Sequence, residues 1–262
     1  MDLRARKQLG QHFLHDPAVI AKIVGEIAPR RHDCIVEIGG GLGALTFPLL
    51  ERVDELHVVE IDERLADELD RRRPGGGARL VVHRGDALQF DFATLSEGSR
   101  SLRVVGNLPY NISTPLLFHL LAQRDVIADM VVMVQKEVAR RIVAAPGNKD
   151  YGRLTVMLAA YLDAEVCFDV GPGAFKPPPR VWSSVLRLEP RERVRFDVGD
   201  EARYAELVRR AFSMRRKTLR RGLAGLLTRE QIASAGVDPA ARAETLYPAQ
   251  FAALAALLAN DR

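Results

Sequence analysis

Val36-Glu37-Ile38-Gly39-Gly40-Gly41-Leu42-Gly43 closes an apolar run that starts at Cys34 and leads into a helical pattern near 43–52. A strand that ends in a glycine-rich turn and opens a helix lets a ligand approach bare backbone N–H groups. The next apolar run, Leu56-His57-Val58-Val59-Glu60, ends in an acid 23 positions beyond Glu37. That is the place of a carboxylate that accepts hydrogen bonds from ribose hydroxyls. Together they mark a nucleotide-type site with Gly39, Gly41 and Glu60 as binding residues. The turn alone would also suit any α/β domain, and Gly39-x-Gly41-x-x-Ala44 also satisfies the dinucleotide pattern with Ala in third place, so two cofactor classes stay open.

Outward from this turn, apolar runs at 34–38, 56–60, 79–83, 102–106, 129–134, 164–169 and 183–188 alternate with helical patterns near 17–28, 43–52, 63–73, 114–123, 135–144 and 152–161. The alternation predicts an α/β, Rossmann-like, doubly wound sheet of seven strands. The fully apolar Met130 to Val134 fits a parallel strand buried on both faces. After Leu188 the pattern changes: Glu189 to Asp200 is charged and turn-rich, and the remainder reads as helix. Thr228 with Gln231 fits a capping box, Gly236 a helix stop and Pro248 the first turn of a last helix. The expected division is a cofactor-binding domain over 1–190 and a small all-helical domain over 191–262, the latter either functional or a packing appendage.

Composition narrows the class. The 262 residues are 47% hydrophobic and 27% charged, ordinary for a folded globular chain. The longest apolar stretches, around Val156 to Leu162 and Phe251 to Ala259, fall short of the ~20 residues of a membrane-spanning helix. The start, with Asp2, Arg4, Arg6 and Lys7, has no apolar signal core, so a cytoplasmic protein without membrane association is expected. Cys34 and Cys167 lie far apart without ligand-spaced neighbours, which argues for two buried thiols, with no disulfide and no metal site. With no long exposed apolar patch in the pattern, a monomer is expected.

Several constellations carry chemistry. Gly106-Asn107-Leu108-Pro109-Tyr110 puts an amide, a proline and an aromatic at the end of the fourth predicted strand. Such a turn suits methyl transfer to a planar amino group, whose lone pair is delocalised into its ring: the Asn107 side-chain oxygen and the Leu108 carbonyl can hold its two N–H bonds as charge develops. Pro109 stiffens the turn and Tyr110 offers a stacking face. The plainer reading is a strand-to-helix turn with a buried tyrosine. Asp86, in Gly85-Asp86-Ala87-Leu88 at another strand end, suits either the amino group of a bound adenine or a helix cap. Phe175, ahead of Lys176-Pro177-Pro178-Pro179-Arg180, suits either one wall of a clamp that sandwiches a flipped base against Tyr110 or a core position beneath a stiff loop. Arg209, Arg210, Arg215, Arg216, Lys217, Arg220 and Arg221 occur with no acid between Leu207 and Leu223. On a continuous helix all but Arg215 share one face, opposite Ala211, Phe212, Leu219 and Leu223, a single-sign stripe suited to an RNA backbone.

Taken together, these residues resemble the ribosomal RNA adenine dimethyltransferases, in their bacterial small-subunit branch. The resemblance runs nearly end to end, through Lys7-Gln8-Leu9-Gly10-Gln11-His12-Phe13-Leu14, Glu37 to Gly43, Gly106 to Pro115, Gln135 to Val138, Tyr151 to Leu154, Phe175 to Arg180 and Arg215 to Leu219. It implies a class I methyltransferase fold with S-adenosylmethionine lying across Gly39, Glu60, Asp86 and Asn107, and with His12 and Leu14 closing over it. It implies two adjacent N6,N6-dimethyladenosines near the 3′ end of 16S rRNA, made during small-subunit assembly. Gly40 stands where many members have Pro, Trp182 where many have Asp, and His12 where Asn is frequent. The rivals are the large-subunit enzyme of the macrolide-resistance branch, an RNA- or ribosome-binding factor with little catalysis, and a dehydrogenase.

Overall fold

Parallel pairing of the apolar runs builds the scaffold. The computed structural model describes residues 5–6, 9–73, 75, 77–96, 101–214 and 216–258. The elements are β1 (Phe13–Leu14), α1 (Pro17–Ile27), β2 (Cys34–Ile38), α2 (Thr46–Leu50), β3 (Glu55–Glu60), α3 (Glu63–Arg71), β4 (Arg79–Arg84), β5 (Leu102–Asn107), α4 (Ser113–Ala122), β6 (Ile127–Gln135), α5 (Lys136–Ile142), α6 (Arg153–Tyr161), β7 (Leu162–Val170), β8 (Phe175–Lys176) and β9 (Ser183–Pro190), followed by the helices α7 (Glu201–Ser213), α8 (Leu219–Gly222), α9 (Arg229–Ser234) and α10 (Pro248–Leu257). Seven strands form one sheet in the order β4-β3-β2-β5-β6-β9-β7; β4 through β6 of that row run parallel, and β9 is antiparallel to β6. The α/β expectation holds, with all seven strands in their expected places. Among the described residues no helix is long and apolar enough to cross a membrane.

The chain separates into two compact units, residues 1–139 with 165–190, and residues 140–164 with 191–262. This corrects the expected single cut after residue 190. The reason is α6: it buries Leu154, Val156 and Leu158, and it packs on α7 and α10. The Tyr151 hydroxyl just before α6 donates to the Leu246 carbonyl at 2.7 Å. Within this helical unit Phe212 stacks on Phe251 with ring centroids 5.6 Å apart. The capping box at Thr228 and Gln231, the left-handed Gly236 and Pro248 in the first turn of α10 all occur as read.

In the sheet unit the strand order reverses at β2, whose neighbours are β3 and β5. Such a reversal leaves a crevice at the carboxyl ends of the strands. Gly106 permits the close approach that shapes it: with φ of 154°, a Cβ there would lie 2.5 Å from the Ile38 carbonyl oxygen. Helix α2 begins at Thr46, later than the expected 43, because the glycine turn continues: the Gly43 N–H donates to the Gly40 carbonyl at 2.8 Å. The thiols also depart from expectation. Both are half-buried, and the Cys34 Sγ–H donates to the Leu95 carbonyl at 3.3 Å.

Glu37 is the buried polar link between β2 and α2. It is 2% exposed, and its Oε2 accepts the Thr46 hydroxyl at 2.6 Å. Burial pushes its carboxyl up from 4.5 to about 7, with the Thr46 hydrogen bond opposing and the Glu60 charge adding to the rise. A carboxyl held above its unfolded value binds its proton more tightly in the folded chain, so this stability is fully present below about pH 4.5 and is lost as pH rises to about 7. Between pH 5 and 8 the cofactor-free protein should therefore lose up to about 3 kcal/mol relative to Glu37→Gln. Urea unfolding at both pH values checks this; equal pH dependence in the two proteins contradicts it.

Candidate functional site

The glycine turn after β2, the end of β3, the end of β4 and the end of β5 line one cleft. Gly39, Gly41, Glu60, Asp86, Asn107, His12 and Leu14 all face it, so the structure brings together every residue expected at the cofactor. Gly41 takes a left-handed φ of 56°, which turns its N–H onto Glu60 Oε2 at 3.0 Å. Glu60 Oε1 accepts the Asp62 N–H at 2.9 Å. With the Ile61 N–H as a third donor, the carboxylate still has acceptor capacity for a hydroxyl. Asp86 serves the capping role, since Oδ1 accepts the Leu88 N–H at 2.9 Å, while also lining the cleft. Gly40 is closely packed: a Cβ would meet the side-chain tips of Val58 and Leu69 at 2.7 and 2.9 Å.

Burial raises the Glu60 carboxyl from its ordinary value, opposed by the backbone N–H groups of Asp62, Gly41 and Ile61. Asp62 is instead held down to about 2 by the Arg64 fork, against its own burial. The Gln11 amide donates to Asp62 Oδ2 at 3.1 Å, tying the N-terminal segment to the cleft rim. Gln11 and the half-exposed Ile61 line the cleft but carried no message as single residues. Asp62 was legible in principle: an aspartate ahead of Glu63 is an N-cap signature, and it caps α3.

At the end of β5 the acceptor turn is preorganised. Asn107 Nδ2 donates to the His12 carbonyl at 3.1 Å. Its Oδ1 is buried and has no hydrogen-bond partner among the described residues. A buried amide oxygen without a partner is costly, so its persistence points to a donor from outside the chain. Leu108 buries its side chain and donates its N–H to Met133, leaving only its backbone to serve a ligand. The Pro109 carbonyl accepts the Ile112 N–H at 3.1 Å and closes the turn toward α4. The Tyr110 hydroxyl meets Ser183 Oγ at 2.5 Å, a partner that no sequence pattern announced. Burial raises the Tyr110 phenol, which stays protonated.

The N-terminal segment enters the site as a strap. Phe13 and Leu14 pair with Lys176 and Phe175 in the β1–β8 ribbon, and His12 Nδ1 lies 2.8 Å from the Pro177 carbonyl. The His12 ring lies over Tyr110, with centroids 5.4 Å apart and planes 30° apart. Phe175 is a correction. It is 2% exposed and belongs to the main apolar core, so it presents no face to a base; the ribbon turns it inward. Lys7 and Gln8 of the resemblance motif lie outside the described residues, as do Asp2 and Arg4.

In the helical unit the basic stripe is also revised. Helix α7 is capped at Met214, and a turn separates it from α8, so positions 209–223 do not lie on one helix. Arg215 lies outside the described residues. Arg209 is engaged by Glu206, with both nitrogens at 2.6 Å. Arg210, Arg216, Lys217, Arg220 and Arg221 are exposed, while Ala211, Leu219 and Leu223 are buried as expected.

Residues 2–260 match the family model described as ribosomal RNA adenine dimethylase. A protein of Alcanivorax borkumensis named ribosomal RNA small subunit methyltransferase A is 48% identical over 96% of this chain and 89% of its own. Among solved structures, a dimethyladenosine transferase from Plasmodium falciparum superposes with a TM-score of 0.77 at 27% identity, covering 93% of this chain and 96% of the other. The 23S rRNA methyltransferase ErmE superposes with a TM-score of 0.70, also at 27% identity, covering 95% and 100%. With a family match over nearly its whole length and a relative 48% identical over 96% of it, the chain belongs to the ribosomal RNA adenine dimethylase family.

Proposed function

We propose that this enzyme uses S-adenosylmethionine to dimethylate the N6 amino groups of two adjacent adenosines near the 3′ end of 16S rRNA, in the cytoplasm, during small-subunit biogenesis, acting as a monomer. The observation that carries the reading is the buried Asn107 Oδ1, unpartnered among the described residues, at a turn whose neighbouring carbonyl belongs to Leu108. The assignment to the small subunit is supported by the relative at 48% identity; ErmE, at 27%, stands for the large-subunit alternative.

The cleft fits the cofactor on its own chemistry. Gly39 and Gly41 keep backbone within reach of a ligand, Glu60 offers free lone pairs to ribose hydroxyls, and Asp86 suits an adenine amino group. The Glu60 carboxylate, which lines the cleft, favours a positively charged ligand when ionised. When bound, S-adenosylmethionine supplies an electrophilic methyl group on a cationic sulfur. The chain's own work is done on the acceptor. Asn107 Oδ1 and the Leu108 carbonyl accept the two N–H bonds of the target amino group, which frees its lone pair from the ring. Tyr110, fixed by Ser183, provides the stacking face. With Phe175 buried, it cannot form the second wall of the base pocket, and the His12 ring, 5.4 Å from Tyr110 between centroids, leaves no room for a base between the two rings. The proton is lost to water after the nitrogen becomes cationic, so the site needs no general base.

The exposed cations of the helical unit suit RNA phosphates. They give affinity and position without reading sequence.

Incubating the protein and S-adenosylmethionine with unmethylated small subunits, and with large-subunit RNA in parallel, should yield two neighbouring dimethyladenosines on the small subunit alone by mass spectrometry of RNA fragments. Modification of large-subunit RNA instead would transfer the protein to that branch. Replacing Arg216, Lys217 and Arg220 together with Ala should weaken RNA binding and flatten the dependence of log K on log salt by about 0.7–0.9 for each lost phosphate contact; an unchanged slope would remove these residues from the interface.

A further inference from the structure

Trp182 is the only tryptophan of the chain, and it is 54% exposed. It directly precedes Ser183, the residue that holds the Tyr110 hydroxyl. Ser183 pairs with Gln135 at the carboxyl end of β6, so Trp182 lies on the same edge of the sheet as the Asn107–Tyr110 turn at the end of β5. The indole is held in place. The Trp182 backbone carbonyl accepts the Lys136 N–H at 2.9 Å, and the Lys136 ammonium lies 5.6 Å from the ring centroid. The tip of the ring lies near Gly171, where a Cβ would meet Cη2 at 3.6 Å. Lys136 is itself held by Asp169, which also accepts the Ser184 hydroxyl at 2.6 Å. Lys176 and Arg180 are exposed on the proline-rich segment just before the ring.

An anchored aromatic that leaves about half its surface in water forgoes the stabilisation that burial would give. Interleaved with lysine and arginine, it has the make-up of a platform on which single-stranded nucleic acid stacks a base while the cations follow the backbone. Its place beside the Tyr110 anchor sets which base that is. We infer that Trp182 is the stacking platform for the nucleobase next to the adenine held at Tyr110, in a single-stranded stretch of RNA, with Lys176 and Arg180 on its phosphates. The inference rests on the proposed function, because it takes the occupant of the Tyr110 face to be an adenine of RNA.

The lone tryptophan makes its own probe. Titration of the full-length protein with oligoadenylate should quench Trp182 fluorescence, and an abasic ribose-phosphate oligomer of equal charge should leave it nearly unchanged. On unmethylated small subunits, Trp182→Ala should raise KM for the subunit about tenfold with kcat within about twofold, and Trp182→Phe should restore most of the loss. Equal quenching by the two oligomers, no quenching by either, or an unchanged KM in Trp182→Ala would overturn the platform. Base-dependent quenching in a protein that methylates neither subunit would uphold the platform and sink the proposed function. Methylation without base-dependent quenching would do the reverse.

Discussion

The hydrogen bond from Asn107 Nδ2 to the His12 carbonyl fixes the chemistry of this site. An amide has one donor end and one acceptor end. Once the strap takes the donor end, the acceptor end can only be Oδ1, and it is left buried without a partner among the described residues. The strap is in turn fixed by the β1–β8 ribbon and by the contact between His12 and Pro177. The same segment that lines the cleft with His12 and Leu14 thus also sets the orientation of the Asn107 amide.

Around that bond the sheet supplies the rest. The order reversal at β2 opens the crevice, Gly106 lets β5 approach Ile38, and the ends of β2, β3, β4 and β5 deliver the glycine turn, Glu60, Asp86 and Asn107 to one place. The carboxylates are tuned by their surroundings: Asp62 is kept ionised by Arg64, whereas Glu37 and Glu60 are pushed upward by burial. A cationic ligand in the cleft would relieve part of that cost.

Much of this was legible in the order of residues, because period and turn chemistry are local. Apolar runs ended by Gly39, Glu60, Asp86 and Asn107 announced both the parallel strands and the cleft at their carboxyl ends. What depended on depth or on distant pairing was not legible. The proline-rich run after Phe175 suggested a rigidly presented ring, but strand pairing with Leu14 turns that ring into the core. The cations from Arg209 to Arg221, all but Arg215, fit one helical face, yet the helix stops at Met214 and Glu206 claims Arg209. Ser183, the partner of Tyr110, lies 73 positions away and belongs to no recurring pattern. The extent of the helical unit escaped for the same reason: residues 140–164 join it through α6 and the Tyr151 hydroxyl, contacts that join distant parts of the chain.

The most direct test of this account is the single-turnover methyl-transfer rate of Asn107→Asp with saturating cofactor and small subunits, read beside its affinity for S-adenosylmethionine by calorimetry. A carboxylate puts an oxygen against the His12 carbonyl and loses the donor that orients the group. The account predicts that the rate falls by about 100-fold or more while cofactor affinity changes only a few-fold. A variant that transfers methyl groups near the wild-type rate would contradict it.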